Sequence, residues 1–161
     1  MTSESQAVSD RLLKRRIGEL KHARSFRDLV VYQKAFKVAK TIYEISKCFP
    51  KEERYSLTDQ IRRASRSVGA QIAEAWGKRR YERHFISKLT DADSEQLETQ
   101  HWIDVAVSCE YMSTKEANEI TSDLEATGRM LNTMILKANL FCGTKPFEIR
   151  EEQAEYIVTN H

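Results

Sequence analysis

The stretch from residue 113 to residue 138 reads STKEANEITSDLEATGRMLNTMILKA, and it decides the fold class. Its apolar positions recur at alternating steps of three and four residues, the repeat of a helix that packs one face against other helices. That repeat consists of Ala117, Ile120, Leu124, Thr127, Leu131, Met134 and Ala138. Ser113 and Glu116 at its start fit a capping box, in which a hydroxyl and a carboxylate satisfy free backbone N–H groups. The pattern predicts a long amphipathic helix.

Three further helices are predicted upstream. The first spans about residues 26–48 and has two adjacent apolar series, which indicates more than one neighbour. These series are Leu29, Tyr32, Phe36, Ala39 and Tyr43, and Val31, Ala35, Val38, Ile42 and Ile45. The second helix starts between residues 51 and 57 and ends near residue 78, and the third spans about residues 81–109. Because the connections are short, the sequence predicts an all-α, antiparallel up-and-down four-helix bundle.

The length and composition of the chain limit the classes of protein to which it can belong. The chain has 161 residues with only 5 Gly and 2 Pro, which favours one helical domain over a β-sandwich or a disordered linker. No apolar run reaches the roughly 20 residues that cross a bilayer, and no signal peptide is predicted. Cys48, Cys109 and Cys142 are odd in number and far apart, so we interpret them as reduced thiols of a cytoplasmic protein. We expect a basic N-terminal arm (1–25), the bundle (26–138) and an acidic C-terminal tail (139–161).

Charge is distributed unevenly along the chain. Residues 1–88 hold 21 of the 26 Lys and Arg residues and 10 of the 24 Asp and Glu residues, whereas residues 89–161 hold 5 and 14. The formal net charge of +2 therefore hides a basic half of +11 and an acidic half of −9. Two interpretations follow. Oppositely charged helices pair within the bundle or between subunits, or the basic half presents a surface for nucleic acid.

The outward face of the second predicted helix is unusual. Arg62, Arg63 and Arg66 lie opposite its apolar stripe, and small residues share that side. The small residues are Gly69, Ala70, Ala73 and Gly77. Because glycine inside a helix costs about 1 kcal/mol relative to alanine, this stripe favours a subunit interface where another backbone approaches closely. Tolerated surface glycine is the alternative.

Basic side chains are the best candidates for a functional site. Those we expect to contact nucleic acid are Arg15, Arg16, Arg62, Arg63, Arg66, Lys78, Arg79, Arg80 and Arg83. Lysine and arginine neutralise phosphates without reading bases, and Trp76 or Tyr81 could stack on an unpaired base. Since no helix-turn-helix or zinc finger is visible, we expect binding of RNA or DNA without sequence specificity. The alternative is a protein-interaction scaffold whose basic half docks an acidic partner.

Catalytic and metal sites find little support in the sequence. A di-metal bundle needs Glu-x-x-His on two helices together with further glutamates. Glu98 and His101 have that spacing, but the other such pair, Glu19 and His22, precedes the first bundle helix. A di-metal enzyme is therefore a remote alternative, and we predict a non-enzymatic protein without a cofactor.

Several blocks in the predicted bundle resemble a known family. They are FRDL at 26–29 with VYQKA at 31–35, FP at 49–50, YSLTDQIRRASRSV at 55–68, IAE at 72–74, FISKL at 85–89, and the segment from Glu95 to Trp102. In this order and at these intervals they resemble the four-helix bundle proteins encoded in intervening sequences of bacterial 23S ribosomal RNA genes. Gln71 and Ala75 depart from the family pattern, which usually has Asn and Gly there.

The resemblance implies an assembly as well as a fold. Members form a homopentameric, barrel-like ring, and the intervening-sequence branch has no established enzymatic activity. The family is related to the accessory variability proteins of diversity-generating retroelements, basic pentamers that bind nucleic acid and a reverse transcriptase. The resemblance therefore implies a self-associating accessory factor for a nucleic-acid-processing enzyme, with a reverse transcriptase as one kind of protein partner.

Overall fold

The computed structural model describes residues 23–143, and in this range the chain is helical with no strand. Its four long helices are α1 (Val30–Ile45), α2 (Leu57–Gly77), α3 (Glu82–Ser108) and α4 (Thr114–Leu136). Four single 3-10 turns flank them: Phe26–Asp28, Ser46–Cys48, Lys51–Glu53 and Ala138–Leu140. Four helices are thus confirmed, each close to its predicted position. None of the helices in residues 23–143 combines the length and apolarity needed to cross a bilayer.

The capping box at the start of α4 is confirmed. The Ser113 hydroxyl accepts a hydrogen bond from the Glu116 backbone N–H at 3.2 Å, and the Glu116 carboxylate accepts one from the Ser113 N–H at 3.0 Å. The Ser113 hydroxyl also donates to the Glu116 carboxylate at 2.6 Å, and this bond, followed by the one from the Ser113 N–H, lowers the pKa of the Glu116 carboxyl below its usual value. A local rule of spacing therefore fixes where α4 begins.

The first predicted helix begins later than its apolar pattern indicates. The Asp28 carboxylate accepts hydrogen bonds from the backbone N–H groups of Ser25, at 2.9 Å, and of Arg24, at 2.8 Å. These bonds close a separate 3-10 turn, and Leu29 follows in an extended conformation. The α-helix starts only at Val30.

The core consists of two apolar clusters at different heights of the bundle. One is built around Ile72, Phe85 and Leu131, and the other around Ile42 and Ile103. Along α3 and α4, buried polar residues separate them. These residues are Gln96, Thr99 and Thr127. These buried polar residues therefore form a layer inside the bundle. Each buried polar group in it needs a hydrogen-bond partner.

Gln96 in this polar layer finds its hydrogen-bond partners on its own helix. It donates to Asp93 at 3.1 Å and accepts from Gln100 at 2.7 Å. Gln96 and Asp93 also lie against Gly128 of α4. Because a glycine leaves room for them, α4 approaches α3 closely at this layer.

The expected arm and tail lie mostly outside the described residues, which exclude 1–22 and 144–161. The described residues beyond Ala138 continue along the bundle. Phe141 packs its ring on Phe85 with centroids 5.6 Å apart, and Cys142 is buried in the same apolar cluster.

Candidate nucleic-acid interface

Some cations of the basic half are used to hold the bundle together. Lys34 and Lys37 of α1 contact the Asp123 carboxylate of α4 at 2.9 and 3.4 Å. Lys88 of α3 contacts Glu74 of α2 at 2.9 Å. Each contact lowers the pKa of the carboxyl group, chiefly through the hydrogen bond from the lysine. The contacts of Lys34 and Lys37 with Asp123 join the basic half to the acidic half, so pairing within the bundle accounts for part of the charge asymmetry.

The arginines of α2 divide into two groups. Arg63 is exposed and lies 3.7 Å from Asp59 on its own helix. Arg62 and Arg66 turn toward the end of α1, where both guanidinium groups approach the ring of Tyr43, with Cζ 5.0 and 5.5 Å from the ring centroid. Among residues 23–143, no ion pair involves Arg62 or Arg66. Within this range no carboxylate compensates their charge.

The four basic residues at the turn between α2 and α3 have different environments. Arg79 is partly buried: its guanidinium lies 3.6 Å above the Trp76 ring and donates to the Trp76 carbonyl oxygen, and burial lowers the pKa of the guanidinium. Lys78 and Arg83 are exposed and take part in no ion pair within the described region. Arg80 is exposed and approaches the Tyr81 ring at 5.4 Å. The turn therefore presents three cations to solvent and folds the fourth against the bundle.

The small residues of α2 line a groove of about 460 Å³ between α1 and α2. Gly69 faces Tyr32 of α1, whose ring would lie 3.6 Å from a Cβ at that position. Ala70 and Ala73 also line the groove, whereas Gly77 has open space around it. The small-residue face thus borders α1 on one side, and Tyr32 covers part of it.

One of the two apolar series of α1 is only partly covered. Val31, Ala35, Val38 and Ile42 are buried in the core. In the other series Leu29 is buried and Tyr32 half-buried, whereas Phe36 is 60% exposed and Tyr43 37% exposed. The sequence predicted a neighbour for both series, but within the described residues the middle and end of the second series are left largely open.

Sequence reasoning missed Tyr43 and Lys47 as members of the cationic surface. Tyr43 belongs to an apolar series and was therefore assigned to packing. The spacing of Lys47 four residues after Tyr43 was the available signal, because residues four apart share a helix face. Lys47 indeed approaches the Tyr43 ring at 4.7 Å.

The metal candidates are placed differently from a di-metal site. The Glu98 carboxylate accepts a hydrogen bond from the Trp102 indole at 3.0 Å, and the exposed His101 ring lies against Trp102. No group of three or more His, Cys, Asp or Glu side chains in residues 23–143 is arranged to hold a metal ion. Glu19 and His22 lie outside the described residues, as do the predicted phosphate contacts Arg15 and Arg16.

Comparison with known proteins gives a matching family model and similar solved structures. A family model described as 23S rRNA-intervening sequence protein matches residues 27–133. A crystal structure from Bacteroides thetaiotaomicron, described as a protein of unknown function from the S23 ribosomal protein family, superposes with a TM-score of 0.60 at 29% identity. The superposition covers 66% of this chain and 98% of that one. No functionally curated protein matches.

Proposed function

Since this chain belongs to the 23S rRNA-intervening sequence protein family, we propose that it is a non-enzymatic, self-associating helical-bundle protein that binds RNA or DNA through phosphate contacts. The observation that supports binding is a set of cations on and just after α2 that form no ion pair within residues 23–143. These are Arg62 and Arg66 on α2, and Lys78 and Arg83 at the following turn. Arg63, which pairs with Asp59, and Arg80, beside the Tyr81 ring, are also exposed along this stretch. Cations of this kind attract a polyanion and gain free energy by releasing its counterions.

The proposed contacts differ in strength. Arg62 and Arg66 are held against Tyr43, so their guanidinium groups lose little conformational freedom when they bind a phosphate. The Arg79 guanidinium is already packed on the Trp76 ring, so Arg79 contributes least to phosphate binding among the predicted residues. Lys34, Lys37 and Lys88 already have carboxylate partners and lie outside the proposed interface.

A salt titration tests this function. Binding of a labelled nucleic acid is measured by anisotropy at several salt concentrations. We expect affinity to fall steeply with salt, and the slope of log K against log salt to decrease by about one for each phosphate contact removed. Arg66→Gln and Arg83→Gln are the test variants, and Lys115→Gln, an exposed lysine on α4, is the matched control. Salt-independent affinity, or no binding at low salt, contradicts the function.

We further propose that the helices run antiparallel, up and down, and that five copies form a ring through the groove between α1 and α2. Two features support a close contact there. Phe36 exposes apolar surface, and the small side chains beside it let another backbone approach. These small residues are Gly69, Ala70 and Ala73. In such a ring each copy repeats the cations, and weak phosphate contacts add through multivalency.

A protein-interaction scaffold is the second candidate. The same uncompensated cations, next to the exposed Phe36, could accept an acidic protein partner. Absorbance at 260 nm of the purified protein separates the two functions, because a nucleic-acid ligand co-purifies with a strong absorbance at this wavelength and an acidic protein does not.

A further inference from the structure

Three cations surround a single aromatic ring at the end of α1. The Nζ atom of Lys47 lies 4.7 Å from the centroid of the Tyr43 ring, and the Cζ atoms of Arg62 and Arg66 lie 5.0 and 5.5 Å from it. Tyr43 is nevertheless 37% exposed, so the ring remains accessible to a ligand. We call these four residues the Tyr43 cluster.

Contacts behind the ring hold the cluster in place. The Arg62 Nε atom donates to the hydroxyl of the buried Ser46 at 2.6 Å, and that hydroxyl in turn donates to the Tyr43 carbonyl oxygen at 3.1 Å. Lys47 pairs with Glu44 at 2.6 Å. Arg66 is exposed and joins no ion pair among residues 23–143. The cluster therefore combines a guanidinium held by a hydrogen bond, Arg62, with a second guanidinium, Arg66, that lies against the ring and has no ion-pair partner in the described residues.

The chemistry of the cluster matches one class of ligand. An accessible aromatic ring offers a stacking surface for a planar base, and cations beside it neutralise the phosphates on either side of that base. In a duplex the base faces are already stacked on one another and cannot reach the ring. We propose that the Tyr43 cluster binds an unpaired nucleobase on Tyr43 and its flanking phosphates on Arg62 and Arg66, while Lys47, which already pairs with Glu44, adds to the positive potential. This inference rests on the proposed function and specifies its ligand as single-stranded nucleic acid.

The other rings with cations beside them are less suited to this role. Trp76, which the sequence indicated, is half-buried, and the Arg79 guanidinium lies 3.6 Å above its ring, closer than any of the three cations lies to Tyr43. Tyr81 has the single cation Arg80 near its ring and lies against His84, with centroids 5.5 Å apart. Tyr55 is 86% exposed but has only Arg54 near it, at 5.6 Å. Among the described aromatic rings, Tyr43 is approached by the most cations.

The cluster is compatible with the proposed ring of subunits. Arg62 and Arg66 precede the small residues of α2, which run from Gly69 to Gly77 along the rest of the helix. Tyr43 and Arg66 line the same groove as Gly69, Ala70 and Ala73, so a second copy must centre on the stretch from Ala70 to Gly77 for the Tyr43 ring to stay accessible.

The experiment compares three ligands of one length, roughly 12 nucleotides, within the range that single-strand binding folds cover. They are a labelled single strand, its duplex, and a strand with the same phosphates but abasic sugars. For the wild-type protein we expect about tenfold weaker binding to the abasic strand than to the intact one, the loss of one stacked base. Equal affinity for both overturns the proposal without any change to the protein.

Variants of Tyr43 separate stacking from positioning of the cations. Tyr43→Leu should lose about tenfold in affinity for the single strand and keep its affinity for the duplex, while Tyr43→Phe keeps both. Tyr55→Leu, at an exposed tyrosine with one neighbouring cation, is the matched control and should change neither. Equal losses on single strand and duplex would show that Tyr43 only orients the arginines, and overturn the proposal. If the wild-type protein binds no ligand at low salt, the proposed function itself fails.

Discussion

The side-chain nitrogen of Gln96 on α3 lies only 2.9 Å from the position that a Cβ atom on Gly128 of α4 would occupy, and the Asp93 Oδ1 atom lies 3.2 Å from it. Gln96 is 4% exposed and is tied to Asp93 and Gln100 by hydrogen bonds. It therefore cannot withdraw without leaving buried polar groups unpaired. The two helices approach here because residue 128 has no side chain.

Gly128→Ala should destabilise the bundle. Overpacking of this kind costs about 1–3 kcal/mol, which outweighs the gain of about 1 kcal/mol in helix propensity. Urea denaturation at constant m value measures the change in the free energy of unfolding. Gly77→Ala is the control, because no atom lies within 4 Å of its added Cβ and propensity alone should raise stability by about 0.5–1 kcal/mol. A stabilised Gly128→Ala variant would contradict the close packing of α3 and α4.

The contact between Lys34 and Asp123 should make stability depend on pH in acid. The hydrogen bond from Lys34 is the main cause that lowers the pKa of the Asp123 carboxyl in the folded protein, relative to an unfolded value of about 3.9. A lowered folded-state pKa stabilises the fold above the unfolded pKa. This stabilisation is lost as pH falls through the lower folded value. We expect it to be present at pH 7 and to disappear progressively below about pH 4.

A double-mutant cycle between Lys34→Met and Asp123→Asn measures this coupling. We expect about 0.5–1 kcal/mol at pH 7, the range of partly exposed pairs, and none in strong acid. Lys37→Met is the matched comparison and should couple more weakly with Asp123, since Lys37 is more exposed and lies 3.4 Å away. Coupling that stays constant down to low pH would show that Asp123 acts through packing and not through charge.

The N-cap of α4 is expected to contribute separately to stability. Ser113→Ala removes the acceptor of the Glu116 N–H and should lower the free energy of unfolding by about 1 kcal/mol. Ser122→Ala, at an exposed position within α4, removes a hydroxyl from the helix interior and should not destabilise. Chemical denaturation of both variants measures the difference in their free energies of unfolding. Equal stability of the two would mean that the capping box does not stabilise the fold.

The sequence predicted the features that depend on neighbours along the chain. Ser113 and Glu116 identified the start of α4 because a capping box involves residues three apart. Periodicity likewise identified both apolar series of α1, but it could not say that Ala35 is buried while Phe36 is exposed. That outcome depends on which helices cover α1, and periodicity holds no information about partners.

The parts of the candidate site that sequence could not predict depend on contacts between helices. Tyr43 meets Arg62 across α1 and α2, and Gln96 meets Gly128 across α3 and α4. Arg79 has the same residue type and nearly the same position as Arg80, yet only Arg79 folds back on Trp76 with part of its surface buried. Such differences arise from tertiary packing, which residue type and spacing alone do not specify.

Ala70→Gln tests the proposed subunit contact. Ala70 is exposed and lines the groove between α1 and α2, so a longer side chain there should leave the folded chain intact and block the approach of a second copy. We expect light scattering to report a lower mass and circular dichroism to report an unchanged helix content. Asn118→Gln, also exposed on a helix but outside the groove, is the control. A variant that keeps both its fold and the wild-type mass would rule out this face as the interface.

Arg79 and Arg83 should separate stability from binding at the turn between α2 and α3. The Arg79 guanidinium lies on Trp76 and donates to the carbonyl at the end of α2, so Arg79→Gln should cost about 0.5–1 kcal/mol in the free energy of unfolding. Since that group is already engaged and partly buried, the salt slope of nucleic-acid binding should hardly change. Arg83 is exposed without an ion pair in the described region, so Arg83→Gln should leave stability unchanged and reduce the slope by about one. The reverse pattern, with Arg79→Gln lowering the slope at constant stability, would mean that nucleic acid draws Arg79 away from Trp76.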